Sequence, residues 1–332
     1  MKNHQEIHPS GLGYQPPFSG LTTFGGLPHR AEINDQEIDL AILGIPFDSL
    51  VTFRPGARFG PNAIRQSSVL CRNYSQQMEV EVYDRLRAFD VGDVKVNAFD
   101  YEETFHLIED RISDLQRRGA AVVSLGGDHS ILLPILRATS RRYPNLTLIQ
   151  IDAHTDTSDG GWGQQFHHGT PVRRAIEEGL VEGSHIFQIG IRGSVGSASY
   201  HDYAKQAGIQ ILDMRTFHDR KLREGFLKHL FEVAGSGPCY LTFDVDGVDP
   251  AFAPGTGTPV VGGLTSFEAL DLMRSFKGLL FIGGDVVEVA PAYDYSQITA
   301  LLGATIAFEM AALIAIARPP EPAPTRECPP SL

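Results

Sequence analysis

Apolar residues fall into short unbroken runs along the chain: Asp39–Ile45, Ala120–Leu125, Leu146–Ile151, Ile186–Ile191, Ile209–Leu212, Tyr240–Val245 and Leu279–Ile282. Most show no alternation of apolar and polar positions. A strand with one wet face alternates, so these runs predict strands covered on both faces, as in a parallel sheet. Between them lie segments with helical spacing at Tyr101–Arg118, Ile131–Arg142, Pro171–Glu178, Leu222–Val233, Ser266–Ser275 and Gln297–Ile316. Strand alternating with helix predicts an α/β fold, an open parallel sheet with helices on both faces. No internal repeat and no linker divides the chain, which predicts one domain over residues 37–317. Residues 1–36, rich in Gly and Pro, read as an arm, and the Pro-rich residues 318–332 as a disordered tail.

The run Thr299–Ala317 is nearly long enough to cross a bilayer, but Glu309 and several small residues interrupt it. A helix buried against the sheet is the expectation, with no membrane as partner. The opening MKNHQEIHPS has no apolar stretch and does not read as a signal peptide. Composition then narrows the function. The 332 residues are 42% hydrophobic, enough for a large core, and carry 28 Lys+Arg against 40 Asp+Glu, a net charge of -12. That balance argues against a nucleic-acid partner and suits a cationic small molecule. Cys71, Cys239 and Cys328 share no metal-binding spacing and are expected to be reduced thiols of a cytoplasmic protein.

Four of the predicted strands end in polar clusters. They are Gly126-Gly127-Asp128-His129, Asp152-Ala153-His154-Thr155-Asp156, Asp244-Val245-Asp246-Gly247-Val248-Asp249 and Gly283-Gly284-Asp285-Val286-Val287-Glu288. Residues two apart in an extended chain point to the same side, so Asp152, His154 and Asp156 aim at one place beyond the strand end. Ligands of open α/β sheets bind beyond the carboxyl ends of the strands. One acidic strand end is ordinarily a helix cap, but four at one edge would bury carboxylates at a large cost without cations. His129, Asp152, His154, Asp156, Asp244 and Asp246 exceed the three or four protein ligands of a single zinc site. With bridging carboxylates they suffice for two ions about 3.5–4 Å apart. An oxygen-rich set with two imidazoles and no thiolate suits two divalent ions, Mn²⁺ first, with Fe²⁺, Co²⁺ or Ni²⁺ as alternatives.

Over roughly residues 36–317 the sequence resembles the ureohydrolase family of arginase, agmatinase and guanidinobutyrase. The carrying motifs are GGDHS (126–130), DAHTD (152–156), HHGTP (167–171), TFDVDGVDPAFAPGTGTPVVGGLT (242–265) and DVVEVAP (285–291). The resemblance implies a three-layer α/β/α sandwich around a parallel sheet of about eight strands, with residues 37–317 as the catalytic domain. It implies a dinuclear centre in which His129, Asp152, Asp156 and Asp244 hold one ion and Asp152, His154, Asp244 and Asp246 the other. The implied reaction is hydrolysis of a guanidinium group to urea and an amine. Asp156 would take the proton of the attacking water, His168 would be a second proton shuttle, and Glu288 would bind the guanidinium. His167 is expected to be a loop residue turned away from the substrate. Asp249 and Asp285 are expected to be structural, capping turns or binding backbone amides. Relatives assemble as trimers or hexamers, so a homo-oligomer is expected, with a hetero-oligomer containing a paralogue left open.

The loop SDGGWGQQFHHGTPV (158–172) lacks the Ser/Asn pattern of the arginase branch, while FRPGARFGPNAIRQSS (53–68) looks like agmatinase and guanidinobutyrase. An agmatine-like or 4-guanidinobutyrate-like substrate is therefore implied. The alternatives are guanidine itself, small N-alkylguanidines or biguanides, with nickel in place of manganese. Formiminoglutamase-type amidine hydrolysis and a non-catalytic partner subunit are further alternatives, and the latter would be expected to lack ligands. None of the six is missing.

Overall fold

The protein is seen here as a computed structural model that describes residues 19–32 and 38–318. Most of the expected arm at 1–36, nearly all of the 318–332 tail and Cys328 lie outside the described residues. The chain runs β1 (Leu40–Ile45), α1 (Gly60–Ser67), a hairpin of β2 (Tyr74–Ser75) and β3 (Val80–Glu81), α2 (Val82–Arg85) and β4 (Ala88–Asp93). It continues through α3 (Tyr101–Arg117), β5 (Ala121–Gly126), α4 (Leu132–Arg142), β6 (Thr147–Ile151), α5 (Pro171–Glu177) and β7 (Ile186–Ile189). Next come α6 (Asp202–Gln206), β8 (Gln210–Leu212), α7 (Met214–Phe217) and α8 (Arg220–Ala234). The chain closes with β9 (Pro238–Asp244), α9 (Ser266–Ser275), β10 (Leu280–Val287) and α10 (Ile298–Ala317).

Eight strands form one parallel sheet in the order β4-β1-β5-β10-β9-β6-β7-β8. Alternate residues of a strand feed opposite faces. Leu40 and Ile42 of β1 join one core with α1, α8, α9 and α10, while Ala41, Leu43 and Ile45 join the other with α3, α4 and α5. The result is a sandwich of helix, sheet and helix. Polar residues start the helices: Asp100 accepts the Glu103 N–H at the head of α3, and Thr265 and Glu268 form a reciprocal capping box on α9.

Among the described residues α10 is the one helix long and apolar enough to cross a membrane, and most of it is buried inside the protein. Its Glu309 is paired with Arg274 of α9 at 2.6 Å, which accounts for a carboxylate inside an apolar helix. Two differences from the sequence reading stand out. β4 and α1 were not foreseen, and β10 runs on to Val287 rather than stopping near Ile282. Asp285 therefore lies within a strand, not in a turn after one.

Candidate metal centre

The four strands with polar ends, β5, β10, β9 and β6, are neighbours at the middle of the sheet. Their carboxyl ends thus open on one crevice. Local chain geometry aims the side chains. Asp128 caps a short 3₁₀ turn that begins at His129, and Asp244 caps another at Val245–Gly247. A Cβ on Gly127 would overlap the Phe47 carbonyl oxygen, so only glycine lets the GGDHS turn approach the neighbouring chain. Asp156 and Glu288 both hold left-handed backbone, at φ of 52° and 64°. Non-glycine residues in that region are uncommon and gather at functional sites.

All six expected ligands come together. His129 Nδ1 lies 2.8 Å from Asp156 Oδ2, 3.1 Å from Asp152 Oδ2 and 3.6 Å from Asp244 Oδ2. His154 Nδ1 lies 3.1 Å from Asp246 Oδ2 and 3.5 Å from Asp152 Oδ1. Two groups are close enough to share a cation, His129/Asp152/Asp244 and Asp152/His154/Asp246, and Asp152 belongs to both. The tautomer of His129 is set from behind. Thr242 Oγ1 donates to Asp285 Oδ1 at 2.6 Å and therefore accepts from His129 Nε2–H at 2.8 Å. The lone pair on Nδ1 is left facing three carboxylate oxygens. Among the described residues, Nδ1 of His129 and Oδ2 of Asp156 are buried with no hydrogen-bond partner.

The electrostatics point the same way. Burial, with the charge of Asp152 added, pushes Asp156 up to about 6. Burial and the charges of Asp246 and Asp152 hold Asp244 well above the usual carboxylate range. Burial would lower His129 and His154, yet Asp156 beside the first and Asp246 beside the second raise both. Four carboxylates packed this closely beside two imidazoles make a ligand set short of positive charge. Two divalent cations are what these residues fit.

A cavity of about 170 Å³ opens over the cluster, reached by His129, His154, Asp156 and Asp244 and bounded by Thr52 and His168. His168 Nδ1 and the backbone N–H of His129 both donate to Glu288 Oε1, each at 2.9 Å. Glu288 Oε2 is buried and has no hydrogen-bond partner among the described residues. Burial would depress the His168 pKa, but Glu288, with Asp128 and Asp156 beyond it, brings it to about 9. A second contact opposes that. The Thr52 N–H donates to Nε2 at 3.1 Å, which the ring can accept only while that nitrogen carries no proton. The geometry is that of a neutral ring.

One expectation needs correction. His167 is not turned away: it also lines the cavity, with Nδ1 accepting the Gly169 N–H at 3.1 Å. Asp285 is structural, with its carboxylate taking hydroxyls from Tyr240 and Thr242 rather than capping a turn. Asp249 does hold a turn, accepting from Ala251, Gly262 and Gly263. Trp162 is 84% exposed. What sequence reasoning missed is the support beneath the ligands. Gln188, Gln150, Thr242, Asp285 and Ser124 sit side by side across five strands. Gln188 donates to Gln150 at 2.7 Å, and Gln150 donates to Asp152 at 2.8 Å. The signal was available: each is a polar residue inside an otherwise apolar strand.

The sequence matches the arginase family model over residues 38–312. It is 39% identical to the guanidinobutyrase of Pseudomonas aeruginosa, over 91% of this chain and 95% of that relative. It is 42% identical to the mitochondrial agmatinase of Gallus gallus, over 83% and 81% of the two chains. Among solved structures, the proclavaminate amidino hydrolase of Streptomyces clavuligerus superposes with a TM-score of 0.86 at 36% identity, covering 92% of this chain and 100% of that one.

Proposed function

The chain belongs to the arginase family, and from that premise we propose that it is a dinuclear-metal ureohydrolase that splits a C–N bond of a guanidino compound to give urea and an amine. The observation that carries this reading is the ring of four carboxylates around two imidazoles, with an unpartnered His129 Nδ1 at its centre. His129, Asp152, His154, Asp156, Asp244 and Asp246 would hold two divalent ions, manganese first and nickel second. When bound, such a pair lowers the pKa of coordinated water from 15.7 to about 7 and offsets the carboxylate charge.

The chain's own residues do the rest. Glu288 Oε2, without a partner among the described residues, accepts N–H groups of the guanidinium, while its Oε1 is already engaged. Fixing the planar cation there orients its carbon for attack. Asp156 Oδ2, buried and without a hydrogen-bond partner among the described residues, accepts the proton of the attacking water and helps deliver it to the departing amine. His168 takes up a further proton from cavity water at Nε2 and gives it to the same amine. The protein is further proposed to be a cytoplasmic homo-oligomer, a trimer or hexamer.

The names of the relatives bring agmatine and 4-guanidinobutyrate forward as candidate substrates. One observation counts against a carboxylate tail such as that of 4-guanidinobutyrate: among the described residues, no Lys or Arg lines the cavity to meet it. Agmatine, guanidine and short alkylguanidines need no such partner, which keeps guanidine and alkylguanidines as a second reading. The test is urea release from agmatine, 4-guanidinobutyrate, 3-guanidinopropionate, arginine, guanidine and alkylguanidines by the metal-loaded protein. Urea from at least one is expected. Absence of urea from all of them, with metal present, would overturn the reading.

A further inference from the structure

The segment 48–58, DSLVTFRPGAR, has no part in the reaction as described so far. Yet it is anchored at several points. Asp48 accepts the N–H groups of Gly56 and Arg58 and pairs with the Arg58 guanidinium. Leu50 donates its N–H to buried Asp128 at 3.1 Å, and its carbonyl accepts the His168 N–H at 3.0 Å. Between these anchors stands Thr52. Its N–H lies 3.1 Å from His168 Nε2 and its Oγ1 lies 2.6 Å from the same atom.

A backbone N–H can only donate, so Nε2 carries the lone pair and the ring proton sits on Nδ1, facing Glu288. We propose that Thr52 is a positioning residue that fixes His168 in this tautomer and reverses its hydroxyl when His168 takes up a proton at Nε2. The inference rests on the reading of His168 as a proton shuttle. In the neutral ring, Oγ1–H donates to Nε2 beside the N–H. When Nε2 accepts a proton from the cavity, the ring carries two protons, and the hydroxyl turns so that Oγ1 accepts Nε2–H. The hydroxyl keeps its own proton throughout. When His168 gives its Nε2 proton to the amine, the hydroxyl turns back. Valine fills the same space but offers no acceptor, so a protonated Nε2 would face only the Thr52-position N–H.

Neutron diffraction from crystals of the metal-loaded enzyme in heavy water at alkaline pH, where the ring is neutral, reads the tautomer without reference to activity. Deuterium on His168 Nδ1 and none on Nε2 is expected; deuterium on Nε2 overturns the proposal. In solution, Thr52→Val should lower kcat about tenfold with KM within about twofold and metal content unchanged. Thr52→Ser should restore most of the loss. Unchanged kcat in the valine variant, loss of metal from it, or failure of serine to rescue would each overturn the proposal. If the shuttle reading is what fails, His168→Asn keeps wild-type kcat while the neutron result still stands.

Discussion

His167 and His168 are adjacent and both reach the cavity, but their ring contacts separate them. His168 Nδ1 is tied to Glu288, whereas His167 Nδ1 is spent on the neighbouring Gly169 N–H. His168→Asn should lower kcat by about 10²–10⁴-fold while keeping metal and fold, and His167→Asn should be mild by comparison. Steady-state kinetics beside metal analysis checks this; a crippling His167 variant with a harmless His168 variant would reverse the assignment. Behind the ligands, Thr242 joins His129 to Asp285. Thr242→Val would strand His129 Nε2–H and leave Asp285 with the Tyr240 hydroxyl alone of the two it accepts, so stability should drop by about 1–3 kcal/mol and metal affinity by about 10–100-fold. Denaturant melts and competition with a chelator measure the two; wild-type affinity would remove Thr242 from the centre's support. The ligand positions were legible because polar residues at strand ends break an apolar pattern visibly. Their supports are harder to read: a single Gln150 or Thr242 interrupts an apolar strand, but without the clustering that marks a strand end.

At the scale of elements, two of the unforeseen ones, β4 and α1, are bound to each other. β4 reads AFDVGD, so Asp90 interrupts its apolar run, and α1 follows a glycine- and proline-rich turn. Each looks like loop alone. Together they make a buried ion pair: Arg65 of α1 meets Asp90 through Nε at 2.8 Å and Nη2 at 3.0 Å, and reaches Asp93 at 2.6 Å. The polar residues that hid these elements are the contact that joins them, and such a partnership is visible only once the chain is folded. Breaking it by Arg65→Met leaves Asp90, among the described residues, buried against the N–H groups of Phe24 and Gly92. A loss of about 3–5 kcal/mol in chemical denaturation is expected, because a buried charge stripped of its partner is costly. A change below about 1 kcal/mol would show the pair to be dispensable. The remaining sheet strands were readable because burial on both faces makes a parallel strand apolar throughout.

For the whole molecule, the fold places four acidic strand ends side by side at the middle of one sheet, and the rest of the chain keeps them there. Static light scattering should report a closed symmetric oligomer, and a monomer at working concentration would refute that expectation. The substrate's tail was not legible in the sequence, because specificity depends on which loops meet over the cavity, and no motif fixes that meeting. Six side chains are expected to hold two cations without which no urea forms. Metal content measured on the purified active protein, beside Asp152→Asn and a chelator-treated sample, tests this most directly. About two divalent ions per chain are expected in the active protein, with metal and urea release lost together in the variant and in the stripped protein. Full urea release from the metal-free protein would contradict the account.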